Sequence, residues 1–209
     1  MFIGKIPYPS TIVWGGDVLC AISAATTGPN PKVDSIYRIT FLPMDCDFKP
    51  FKPPFTINMI PIQRGNLGKE VYDRAVSIGL KYERGFEMFE KWWEDLVPYN
   101  KQRGAKNKII PLAANYYLLY PFITDWIGFS LYSIMFSTRH RDIFTIASYV
   151  DDTFEFCVET TPFKGRDKNV YSDNGAISIA APYKTELRCL QISRVYRRLV
   201  TKRRLPHMV

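Results

Sequence analysis

The chain has 209 residues, 46% of them hydrophobic and 15% aromatic, and a formal net charge of +8. That is enough for one sizeable core and short for two, so the composition predicts one domain with a tail. No secretory signal is recognisable, because Met1 to Ser10 carries Lys5, is interrupted by Pro7 and Pro9 and lacks a continuous apolar run. The most lipid-like stretch, Ile109 to Thr124, is too short and too broken by Pro111, Asn115 and Pro121 to span a bilayer. A cytoplasmic protein without membrane contact is therefore expected.

The four cysteines, Cys20, Cys46, Cys157 and Cys189, form no CxxC pair, and only His140 and His207 could add imidazole ligands. The pattern predicts free buried thiols, no metal site and no cofactor. The positive charge is uneven: Arg188, Arg194, Arg197, Arg198, Lys202, Arg203 and Arg204 close the chain with no acid among them. A polyanionic partner, DNA or RNA, and a merely solvated basic helix both fit this run.

In chain order, a Pro-containing lead (residues 1–16) precedes Asp17 to Ser23, where Val18, Leu19 and Ile22 predict a buried strand that exits through Thr26-Thr27-Gly28-Pro29-Asn30-Pro31. Asp34 to Pro43 and Phe55 to Pro61 read as two further strands of an antiparallel meander. From Glu70 the period becomes helical through Val71, Ala75, Ile78 and Gly79. A second helix, Arg84 to Val97, carries Phe86, Phe89, Trp92, Trp93 and Leu96 on one face. Of the adjacent pair Trp92 and Trp93 one ring should point outward, which makes both candidates for contact with a protein partner, against a core-packing alternative. Tyr99 to Lys108 reads as a loop, Ile109 to Ala113 as a strand, Leu118 to Gly128 as a helix and Arg141 to Val150 as another. Thr160 to Ser172 is a polar loop. Lys184 to Lys202 is a long helix with Leu187, Leu190, Gln191, Val195 and Leu199 on one side, followed by a basic tail (201–209). No internal repeat is visible. The alternation predicts an α/β fold, a mixed central sheet flanked by helices.

The run Asp17-Val18-Leu19-Cys20-Ala21-Ile22-Ser23-Ala24-Ala25-Thr26-Thr27-Gly28 resembles the first motif of the DEDDh exonucleases, the 3′ to 5′ proofreading-subunit family, where a strand ends in Asp-x-Glu-Thr-Thr-Gly. The segment from Ile109 to Phe122 is similar to the second motif, His-Asn-x-x-Phe-Asp-x-Pro-Phe, through Asn115, Pro121 and Phe122. Arg141-Asp142-Ile143 looks like the family's Asp-Thr before a helix, and Val195 to Leu199 like the end of its last helix. The likeness covers residues 17–200 and is nearest to single-domain forms carried by tailed phages. It implies a ribonuclease H-like fold.

The same resemblance implies two divalent metals held by four carboxylates, with a His as general base. Position by position, the first Asp falls on Ser23, its partner Glu on Ala25, the second-motif Asp on Leu119, the His on Tyr183 and the last Asp on Arg188. None can hold a hard cation, so the expectation is a degenerate exonuclease without metal or catalysis. Asp125 and Glu186 are wrongly phased to substitute. Arg188 could place a guanidinium where a metal stood and grip a phosphate, or turn to solvent beside a collapsed cleft. Tyr116 and Tyr117, with Tyr120, could stack bases in a retained groove or fill the old site. The two functional expectations are a structural subunit among protein partners of a larger assembly, a phage particle or replication complex, and a nucleic-acid-binding accessory. The corresponding locations are the cytoplasm, that of the host for a phage protein, or the virion.

Overall fold

The structure, a computed structural model, describes residues 16–143 and 184–204, with only the helical backbone given for Lys184 and for 198–204. A five-stranded mixed sheet forms its centre. Strand β1 (Val18–Thr26) pairs antiparallel with β2 (Ile36–Met44), which pairs antiparallel with β3 (Phe55–Asn58). On its other side β1 runs parallel to β6 (Ile109–Ala113), and β6 parallel to β7 (Arg141–Asp142), giving the order β3-β2-β1-β6-β7. The predicted meander and the mid-chain strand are all present.

Every residue of β1, β2 and β6 is buried, because the sheet is covered on both faces. Val18, Cys20, Ile22 and Ala24 pack with Ile39, Phe41 and Ile57 against helices α2 (Tyr82–Leu96), α3 (Tyr116–Ile127) and α4 (Phe129–Met135). Leu19 and Ala21, one step out of phase, pack with Leu42, Ile110 and Leu112 under α5 (Lys184–Arg204). Helix α1 (Lys69–Ile78) precedes α2, as the change of period at Glu70 predicts. The outward tryptophan is not found: Trp93 is buried, and Trp92 is half-buried with its ring stacked on Phe55 at 4.7 Å and 6°. Phe41 and Phe89 close the same aromatic cluster, so the edge strand β3 supplies a cover for Trp92 that helical periodicity alone does not reveal.

Three other expectations shift. Tyr99 to Lys108 is a tight hairpin, β4 (Tyr99–Asn100) with β5 (Ala105–Lys106), whose turn needs the positive φ of Gly104 (63°). Arg141 and Asp142 are strand rather than helix, the helical backbone beginning at Ile143; residues 144–150 lie outside the described part, as do Cys157, the loop 160–172 and the flanks 1–15 and 205–209. Helix α5 buries Thr185, Cys189, Ile192, Ser193 and Tyr196, so its inner stripe is rotated from the predicted one and Leu187, Leu190 and Gln191 are only half-buried. The sheet offers hydrogen-bond acceptors and a polar patch there, which favours Thr and Cys over Leu. The helix also continues to Arg204, into the segment predicted as tail.

Asp17 fastens the opposite end of the sheet. Its carboxylate is buried and accepts from the Lys108 amide at 2.9 Å, from Arg103 Nη1 at 3.3 Å and from Arg139 Nη2 at 2.5 Å. It thereby joins the β4–β5 hairpin, β6 and the approach to β7. Both arginines are half-exposed and regain water if the acid is removed, so Asp17→Ala should cost about 2 kcal/mol, less than a fully buried pair, read from the shift in urea midpoint.

Candidate functional site

The parts of the resemblance that survive have folding tasks. Thr27 Oγ1 donates to Asp34 Oδ1 at 3.0 Å and accepts from the Ser35 amide at 3.0 Å, while Asp34 Oδ2 accepts from the Asn30 amide at 2.9 Å. Thr26 Oγ1 donates to the Gly28 carbonyl at 2.7 Å. A Cβ on Gly28 would lie 2.5 Å from the Asp34 carboxylate, so only glycine lets this turn close around its acid. Asn115 caps α3 by accepting from the Leu118 amide at 3.2 Å, and Asp142 Oδ2 accepts from the Tyr116 amide at 2.5 Å. Asp142, matched above to the family's Asp-Thr, is thus engaged at the N-terminus of α3.

The positions that would hold metal are different in kind. Ser23 and Ala25 follow Leu19 and Ala21 in alternation and so lie on the α5 face of β1, opposite Thr40 and Arg38 of β2. Ser23 Oγ is buried with no hydrogen-bond partner. Ala25 is packed with Tyr37, Leu67 and Ala75, so the start of α1 closes over it. Leu119 is 3% exposed and belongs to the apolar core with Phe122 and Ile123. Tyr183 lies outside the described residues.

A polar network that the sequence reading did not anticipate occupies this face. Arg38 donates through Nε to Thr185 Oγ1 at 2.9 Å, through Nη1 to Asn58 Oδ1 at 2.5 Å and through Nη2 to Glu186 Oε1. Thr40 Oγ1 bonds both Thr185 Oγ1 (2.8 Å) and Thr56 Oγ1 (2.9 Å), and Thr56 donates to Glu186 Oε1 at 2.8 Å. The first turn of α5 is thereby clamped to β2 and β3. The guanidinium that crosses this face opposite Ala25 is that of Arg38. Arg188 sits two residues beyond Glu186, about 200° around the helix, half-buried and engaged in interactions of its own. The available signal was an arginine inside the apolar run Ile36 to Leu42.

These residues do not fit a pair of divalent ions. A methyl, an isobutyl group and a lone hydroxyl offer no anionic oxygen, and a buried guanidinium repels a cation. Among the described residues no group of three acidic, His or Cys side chains converges. Because Ser23 Oγ is already unpaired, Ser23→Ala should leave stability unchanged or raise it by up to about 1 kcal/mol in urea unfolding. Cys189 Sγ donates to the Thr40 carbonyl at 3.4 Å. Burial pushes its thiol far up, with the Glu186 charge adding to the shift and Arg188 opposing it; burial likewise raises Cys20. In the folded chain a disulfide reagent should therefore modify exposed Cys46 while sparing Cys20 and Cys189, checked by peptide mass after labelling.

No family model and no curated protein sequence matches the chain. Solved structures do. The chain is similar to the zinc-ion-bound form of the E. coli ExoI–ssDNA complex at 10% identity and TM-score 0.54, covering 91% of this chain and 42% of that one. Cell-death related nuclease 4 (CRN-4) matches at 12% identity and TM-score 0.57, over 90% of this chain and 64% of that one. The nuclease domain of 3'hExo, a DEDDh family member bound to rAMP, matches at 15% and 0.52, over 88% of this chain and 92% of that domain. The fold is ribonuclease H-like, of the exonuclease type. At such identities the likeness establishes the fold alone, and the chain spans less than two thirds of the first two proteins.

On this fold the remaining candidates separate. Tyr116 is buried, its ring stacked on His140 at 4.2 Å and its hydroxyl bonded to Tyr132, so it cannot accept a base. Tyr117 is 64% exposed, at the edge of the His140 ring. Tyr120 is half-buried against Tyr132. Arg194 and Arg197 are exposed on the outer side of α5, whereas the side chains of Arg198, Lys202, Arg203 and Arg204 lie outside the described residues. No described helix is long and apolar enough to cross a membrane.

Proposed function

We propose that this chain is a non-catalytic protein of exonuclease fold that serves as an interaction subunit of a larger assembly, in the setting of a tailed-phage particle or replication complex. The observation that carries the proposal is the face between β1, β2 and α5, where the motif positions are Ser23, Ala25 and Arg188 and an Arg38–Glu186 clamp stands beside them. A surface for protein contact is available elsewhere: Tyr117, Leu118, Phe129, Leu131 and Ile134 are exposed on the consecutive helices α3 and α4.

A second reading, a nucleic-acid-binding accessory, is favoured by the exposed Arg194 and Arg197 and by the ssDNA present in the complex of ExoI. Fluorescence anisotropy of labelled single-stranded DNA at about 50 and about 200 mM salt separates the two, since counterion release makes phosphate binding fall steeply with salt. The interaction subunit predicts no binding at the lower salt. Salt-sensitive binding that is lost in the double variant Arg194→Glu/Arg197→Glu would replace it with the second reading. Shortening of the DNA with added Mg²⁺ would refute both.

A further inference from the structure

Beside the Arg38 clamp the structure has a second feature of distinct chemistry. Tyr37, Arg38 and Asn58 face the inner side of α1 across a cavity of about 270 Å³, with Val71, Ala75 and Ile78 as its apolar wall. That space is large enough for a ring-sized organic body with a head group. The inner polar end is rich in donors. Arg38 commits one N–H each on Nε, Nη1 and Nη2, and the second hydrogens of Nη1 and Nη2 have no acceptor among the described residues. Asn58 Oδ1 is taken by Arg38, which turns the Asn58 amide nitrogen into two further donors without a described acceptor. Arg74 stands at the rim, and Glu70, one turn earlier on α1, keeps an anionic head group away from its own end and toward Arg38 and Asn58.

We propose that this cavity is a binding site for a small organic carboxylate with a flat or branched apolar body. The two open guanidinium hydrogens can each take one carboxylate oxygen, the Asn58 amide adds a third donor, and the body lies on Val71, Ala75, Ile78 and the Tyr37 ring. Glu186 already balances the charge of Arg38, so Arg74 supplies the uncompensated positive charge that favours an anion here.

The test is a titration of the ¹⁵N-labelled full chain with benzoate, and in parallel with benzamide, following the amides of α1, β2 and β3. Benzoate should saturate, and benzamide, which keeps the ring but loses the anionic acceptor, should bind at least about tenfold more weakly. Ile78→Trp, which fills the apolar wall from an exposed position, and Arg74→Glu should each weaken benzoate by a similar factor while leaving the melting curve in place. Benzoate that never saturates, benzamide of equal affinity, or an Ile78→Trp chain that binds like the wild type would overturn the proposal.

Discussion

Glu186→Ala should lower the unfolding free energy by about 3 kcal/mol, the largest effect expected of a polar side chain among the described residues. The carboxylate is 26% exposed and its guanidinium partner 10%. Removing the acid leaves Arg38 charged, nearly dry and held only by Thr185 and Asn58. It also takes one of the two partners of Thr56 Oγ1 and leaves Thr185 alone to tie the first turn of α5 to β2. Glu186→Gln, which keeps an acceptor, should cost about half as much, and Arg38→Met should cost less than Glu186→Ala, because a lone Glu186 at that depth can still reach water. Urea unfolding of the three variants with the double variant Arg38→Met/Glu186→Ala measures the coupling directly. A Glu186→Ala chain within about 0.5 kcal/mol of wild type would mean that the clamp is a surface pair worth little.

Leu119→Asp, the substitution that restores the second-motif acid, should be worse still. Leu119 is buried among Phe122, Ile123 and the aromatic side chains under the sheet. The variant loses the apolar burial of a leucine and places a carboxylate where no described donor or cation waits, for a loss of at least about 4 kcal/mol. Domains of this size have only 5–15 kcal/mol to lose, so the circular-dichroism melt should fall by more than about 8 °C. A folded Leu119→Asp chain whose melting point rises with added Mn²⁺ would show that the position still faces a metal-ready cleft.

The two effects explain which parts of the site could be read from the residues. Thr26, Thr27, Gly28 and Asn115 were recognisable because a turn and a helix cap depend on local spacing, and the structure gives each of them a local bond or close contact. Strands β1, β2 and β6 and helices α1 and α2 followed from periodicity, whereas the β4–β5 hairpin, the strand at Arg141–Asp142 and the buried stripe of α5 did not. The Arg38–Glu186 clamp joins residues 148 apart in the chain, and no local pattern encodes a pairing at that distance. What could be seen was an arginine within an apolar strand, a conflict between level and location that marks either an edge or a buried partner. Trp92 failed in the same way: its own helix requires one of two adjacent rings to leave the core, and only the position of β3 brings Phe55 over it. Motif alignment assigns places on α5, Arg188 among them, and says nothing of what β2 presents opposite that helix, so it could not reveal the Arg38 clamp.

The face formed by β1, β2 and α5 carries a protein-internal Arg38–Glu186 clamp, and we propose that it takes no divalent metal. Titration of the ¹⁵N-labelled chain with Mn²⁺, whose unpaired electrons broaden nearby amide signals, tests it most directly. No saturable broadening of the Ser23, Ala25, Thr40 and Cys189 amides is expected at millimolar Mn²⁺, with only weak effects at surface acids. Localised, saturating broadening at those amides would contradict it and return the chain to the metal-dependent nucleases.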